Sequence, residues 1–300
     1  MILASSRKQL SAMMEDLVRA ARKVGLDLHM GKTKVLCNVP DIDRMSMKAL
    51  NVDGQDIEIL AEDASIMYLG RSLSFGVKGL DQEIQHRKNR GWAKFHTYYE
   101  ELTEAKYPLR DRMRLFEAVV TPTVMYGAAT WVMTKEREKL IRTAQRKMLR
   151  KVVRVARRRM TSSSDTTSEA EGTESSQTDD EHLDALEIED WVHWVIRATG
   201  IAELRAKLHK VSDWVTNQRE KKWSWAGHVA RRWDGRWSAA VLNWTPAGIR
   251  KVGRPRTRWD QRICDFVETY VELNPESWMA LAQDREAWKA LKEDFAQLEG

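Results

Sequence analysis

Residues 161–182, TSSSDTTSEAEGTESSQTDDEH, hold a single aliphatic side chain, Ala170. A stretch this poor in apolar surface cannot offset the entropy lost on ordering, so it reads as a disordered acidic linker. It constrains the 300-residue chain more than any other feature, because folded structure is expected only on either side of it. Charge sharpens the division. Residues 131–160 carry 12 basic and 2 acidic side chains, and residues 161–190 carry none and 11. The formal net charge of +6 therefore conceals a basic block joined directly to an acidic one.

Before the basic block, the pattern is α+β and then helical. Leu10, Met13, Met14, Leu17, Val18 and Ala21 follow the 3–4 spacing of a one-sided helix, with Ser6 as N-cap and Gly25 as the stop. GLDLHMGKTKVL, residues 25–36, reads as a β-hairpin turning at Gly31, with strands near 26–30 and 33–38. Asp56–Leu60 alternates as a strand, and IMYLGRSL, residues 66–73, reads as another, with Gly70 marking a bulge or a close backbone approach. Helices are predicted over Leu80–Tyr107, Leu109–Val120 and Thr123–Met133, the last two separated by Pro122. Thr134 is placed to cap a helix running to about Arg159. Beyond the linker, helices are predicted over 183–199 and near 201–230, 235–244, 255–272 and 276–297. The expected organisation is an α+β part over 1–75, a helical region over 76–160, the linker over 161–182 and a Trp-rich helical domain over 183–300. The fold class is mainly α with a small α+β N-terminal part.

Composition excludes some classes. Cys37 and Cys264 are the two cysteines, too few for a disulfide framework or a zinc site, which favours a reducing compartment, nucleus or cytoplasm. The opening MILASSRK lacks a long apolar stretch, so no secretion signal is expected. The longest uncharged run, Ala118–Thr134, contains Pro122 and Gly127 and reads as buried helices, so no membrane partner is expected.

Several residues bear on binding. Arg142, Arg146, Arg150, Arg154 and Arg158 recur every four residues, which on a continuous helix gives a basic row of about 24 Å. Such a row can track phosphates and gain from counterion release. The acidic linker is the rival partner, able to fold back and neutralise the row. GRPRTRW, residues 253–259, reads as a helix entry, with nucleic-acid contact by Arg254, Arg256 and Arg258 as the second option. Of 13 tryptophans, 11 follow residue 190; most are expected in a core, while Trp233 and Trp237, beside Arg231, Arg232 and Arg236, are the candidates for stacking on bases. Asp41 and Asp43 read as a solvated loop, and His193 and His228 have no partners at ligand spacing, so no metal site is read.

In their order and spacing, MILASS, GLDLHMGKTKVL, Tyr68-Leu69-Gly70, RDRMRLFEAVVTPTVMYGAATW, WAGHVARRWDGRW, GRPRTRW and AQDREAWKAL resemble the C-terminal part of non-LTR (LINE-type) retrotransposon reverse transcriptases. The resemblance implies a palm edge, a thumb and a tail. It makes Tyr68, Leu69 and Gly70 the counterpart of a primer grip and puts Lys32 near the nucleotide phosphates, where this chain offers a solvated turn lysine as the alternative. In the intact enzymes, palm carboxylates hold Mg²⁺. The resemblance sets those carboxylates upstream of Met1, so it implies no catalytic residue and no cofactor in this chain. Its implied partner is RNA or DNA. A host-retained helical module for protein–protein interaction and a non-functional remnant stand as the other readings.

Overall fold

A computed structural model describes residues 1–38, 49–61, 63–75, 79–160, 187–232, 237–243, 257–274 and 278–298. The protein is mainly α, with a small α+β N-terminal part, as the sequence pattern predicts. Helix α1 (Arg7–Lys23) starts where Ser6 accepts the backbone N–H of Gln9 at 3.2 Å, and Gly25 leaves it at φ 73°. Its apolar face, Met14 and Val18, packs on a sheet of β1 (Val35–Leu36), β2 (Ala49–Val52) and β3 (Gln55–Leu60). The strand order is β1-β3-β2, with β1 parallel and β2 antiparallel to β3.

The hairpin expected over 26–38 does not form. Met30–Lys32 is a 3₁₀ turn in which His29 O accepts the N–H groups of Lys32 and Thr33 at 3.0 and 3.1 Å. Those local bonds take up the turn, and Val35 and Leu36 pair with Ile59 and Leu60 instead. The hairpin that does form joins β2 to β3 through Asp53 and Gly54, both at positive φ (54° and 76°), the mirror-image turn that matches strand twist. IMYLGRSL is likewise two strands rather than one: β4 (Ile66–Tyr68) and β5 (Arg71–Leu73).

Helix α2 (Gly79–Thr97) ends earlier than the predicted Tyr107, and a short α3 (Tyr99–Thr103) follows. Pro122 does not break the next helix. Helix α4 (Leu109–Leu115) widens into a π turn over Phe116–Val120 and continues as α5 (Thr121–Val124). The π turn shifts the bonding, with Thr121 N–H reaching Phe116 O, which accommodates a proline that has no N–H to give. The chain then leaves the helix: Gly127 at φ 71° ends it, so the helix expected over Thr123–Met133 is absent. Thr134 caps α6 (Lys135–Val153), as predicted, but α6 stops six residues short of Arg159 because Arg154 turns to φ 58°. A two-rung ladder of β6 (Arg159–Met160) and β7 (Glu187–Ile188) leads into α7 (Trp191–Leu208) and α8 (Trp214–Ala230). Short helices complete the chain: α9 (Trp237–Asn243), α10 (Gln261–Tyr270), α11 (Trp278–Leu281), α12 (Arg285–Ala290) and α13 (Lys292–Gln297).

Two helical cores stand beside the N-terminal one. The first gathers Phe95, Leu102, Phe116, Trp131, Met148 and Val152 with Ala202, Ala206 and Trp214, so it takes in residues from beyond position 183, where a separate domain is expected. Trp214 stacks on Phe116 at 5.9 Å, and its indole N–H donates to Thr121 Oγ1 at 3.0 Å. The second core centres on Trp223 and Trp288, stacked at 3.8 Å, each indole N–H donating to the other residue's carbonyl at 2.7 and 3.0 Å. Gly227 permits this approach, since a Cβ there would fall 2.4 Å from Trp288 Nε1. Helix α8 belongs to both cores, with Trp214 in one and Trp223 in the other. Buried Glu138 of α6 accepts from Arg219 of α8 at 3.1 Å and from Arg262 of α10. The carboxylate thus offsets charges that would be costly to bury alone.

Candidate nucleic-acid interface

Tyr68, Leu69 and Gly70 form the tip of the β4–β5 hairpin. The register pairs Tyr68 with Arg71, leaving Leu69 and Gly70 as a two-residue turn at φ 48° and 75°. That conformation suits glycine and strains leucine, so surrounding contacts must hold it. They come from the helical body. Tyr126 Oη donates to Leu69 O at 2.9 Å, and the Arg87 guanidinium donates to Gly70 O while lying 4.6 Å from the Tyr126 ring centroid. Beneath them Glu83 is buried, accepting from Ser72 N at 2.6 Å, Arg87 Nε at 3.1 Å and Arg71 Nε at 3.4 Å. The tip therefore turns Tyr68 and Leu69 to solvent on a fixed base, and Leu69 is 73% exposed.

The arginine row is divided among different surroundings. Arg142, Arg146 and Arg150 are half-buried on α6. Arg146 pairs with Glu203 of α7 at 2.5 Å, and Arg150 donates to Thr199 Oγ1 of α7 at 2.8 Å. Burial, then the charge of Arg146, holds the Arg150 guanidinium below its ordinary pKa. Arg154 sits past the helix end, 3.9 Å from Glu104, and Arg158 lies in the following extended segment, its backbone N–H donating to Glu189 at 3.0 Å. The continuous face expected from the spacing is thus shortened to α6, and α7 lies against part of it.

The other expected residues are dispersed. Lys32 is exposed at the end of the 3₁₀ turn. Arg258 donates to Asp260 at 3.2 Å and to Leu242 O. Arg254, Arg256, Trp233, Asp41, Asp43 and the linker over 161–182 lie outside the described residues, as does the Trp237 side chain at the start of α9. Among the described residues no three His, Cys, Asp or Glu side chains gather as a metal ion requires. No helix among them is long and apolar enough to cross a membrane.

One feature lies outside the predicted set. Along the solvent side of α8, two adjoining cavities of about 520 and 740 Å³ share Ser224, His228 and Lys292. One wall is Pro122 to Ala129 and the other is α12 and the start of α13. Trp225 lies in the larger cavity, 41% exposed, while Trp223 is fully in the core. Helical geometry carries the signal, since residues two apart point about 200° away from each other and cannot share one core.

No family model matches the sequence, and no solved structure matches it. The chain is similar, at 26% identity over 296 residues, to an uncharacterized transposon-derived protein of Caenorhabditis elegans. The alignment takes in 97% of this chain and 91% of that protein.

Proposed function

We propose that this chain is transposon-derived and binds nucleic acid as the palm-edge, thumb and tail portion of a retrotransposon RNA-directed DNA polymerase. The observation that carries the reading is the Tyr68–Gly70 tip, which faces solvent and is braced by Glu83, Arg87 and Tyr126. A strained turn held by buried charge suits a part that keeps its position against a polymer. Similarity to a transposon-derived protein along nearly the whole chain supports the origin. The chain alone is expected to bind without extending a primer.

The test is binding of the full chain to a fluorescein-labelled RNA–DNA primer-template over a salt series. Phosphate contact predicts an affinity that falls steeply as salt rises, and the Tyr68→Ala/Leu69→Ala variant should bind more weakly at unchanged melting temperature. Absence of binding, or binding indifferent to salt, defeats the proposal. A second reading, a helical module that binds another protein, is favoured by α7. There Val192, Ile196, Leu204 and Leu208, each more than half exposed, are spaced at multiples of four residues from one another, next to exposed Trp191. A salt-insensitive protein complex through this face, with no polynucleotide binding, would replace the first reading.

A further inference from the structure

We propose that the cleft along α8 is a binding track for single-stranded nucleic acid, with Trp225 as the platform on which a base stacks. This rests on the reading of the chain as a nucleic-acid binder, and it adds where the polymer lies and in which form. The cleft follows α8 from Asn217 to Arg232, about 22 Å at 1.5 Å per residue, room for a few nucleotides. Basic side chains converge on it from two elements: Lys221, His228, Arg231 and Arg232 on α8 and its end, and Arg285 and Lys289 on α12. The acids facing it are Glu220, which pairs with Lys292 at 3.1 Å, and Glu286. Arg231 is anchored by donation to Ala282 O at 2.6 Å. Burial, then the charge of Arg285, lowers its pKa, so two guanidinium groups face one space that an anion would relieve.

The form of the polymer follows from the aromatic group. Trp225 stands in the cleft with the His228 ring 5.3 Å away, tilted by 30°. A duplex keeps its bases stacked within the helix and offers no face to an indole on a cleft floor, whereas a single strand does. The two depressions, of about 520 and 740 Å³, are open to solvent along their length and roomy enough for a nucleotide, as a groove that takes a passing strand must be. The walls are the segment after the π turn on one side and α12 on the other. Both are fixed to α8 by the two cores, so the track is preformed.

The experiment uses the full chain, fluorescein-labelled dT12 and a blunt duplex of the same length, read by anisotropy over a salt series. The single strand should bind more tightly. Trp225→Ala should weaken it about tenfold, with Trp225→Phe restoring most of the loss, because stacking needs a ring rather than an indole. Arg285→Glu/Lys289→Glu, at exposed positions, should flatten the salt dependence by about 0.7 per lost phosphate contact. If these variants bind dT12 like the parent chain while Tyr68→Ala/Leu69→Ala loses binding, the track is refuted and the wider reading survives. A parent chain that prefers the duplex also refutes the track, and one that binds neither polymer overturns both.

Discussion

Replacing Glu83 by Gln tests how the hairpin is held. The carboxylate is 1% exposed and takes three donors, Ser72 N, Arg87 Nε and Arg71 Nε. The amide keeps the shape but removes the charge and turns one of its own donors toward those groups. Arg87, with its side chain 8% exposed, is left as a buried cation without its counter-ion. Removing one partner of a buried pair costs about 3–5 kcal/mol. The hairpin can escape that cost by detaching, so the loss appears locally before it appears globally. The assay is amide hydrogen exchange read residue by residue. Protection of Ser72 N–H should fall by roughly two to three orders of magnitude, while amides in α6 and α8 change little. Adding Arg87→Met to Glu83→Gln should recover much of the protection, since the buried cation is then gone and the side-chain oxygen of the introduced glutamine can still accept the Ser72 N–H. If the Ser72 amide in the Glu83→Gln variant exchanges as slowly as before, the carboxylate does not brace the tip and the reasoning fails.

Further outcomes follow from other buried groups. Glu138→Gln leaves Arg219 and Arg262 uncompensated between the two helical cores, so thermal denaturation should begin about 10 °C lower, and limited proteolysis should release the C-terminal helices first. Burial, then the charge of Arg262, holds Lys222 down to about 8 against an ordinary 10.5. Between those values the unfolded chain binds the proton and the folded chain does not, so stability should rise with pH across that window and lose this slope in Lys222→Met. Hydrogen bonds from Arg197, then from the Arg158 backbone, hold the Glu189 carboxyl down to about 2. Its contribution is therefore complete above the usual carboxylate value of 4.5 and is lost as pH falls through about 2, and exchange at the Arg158 amide should report this. Deleting 161–182 should tighten polynucleotide binding at low salt if the acidic stretch competes for basic side chains, and unchanged affinity would count against that competition.

Legibility in the sequence tracked how local the deciding interaction is. Ser6, Gly25 and Thr134 are helix boundaries because each acts on its own neighbours, and all three behave as read. Asp53-Gly54 is equally legible as a two-residue hairpin turn, whereas alternation marks only the strand after it, Asp56–Leu60. The Leu69–Gly70 turn is not legible, because Tyr126 and Arg87, distant in sequence, stabilise a leucine at positive φ. The end of α6 carries no glycine or proline, so a charge pattern written past Val153 looked like one face when the backbone had already turned at Arg154. Pro122 misled for the opposite reason: a breaker by rule, it is absorbed by a π turn that only packing selects. The α8 cleft is assembled from three stretches far apart in sequence. Trp225 alone left a trace, in its two-residue offset from a core tryptophan.

The small ladder of β6 and β7 sets Met160 against Glu187, so the chain returns to the place it left. Closing a loop costs free energy that grows only with the logarithm of its length, about 0.6 kcal/mol for each doubling. Whatever is strung between the two rungs can thus be lengthened, trimmed or recoded over generations with little effect on the helices at its feet. That makes this point the natural splice site of the molecule: the position where a lineage could graft a new module, and where a laboratory could insert a reporter without touching either core.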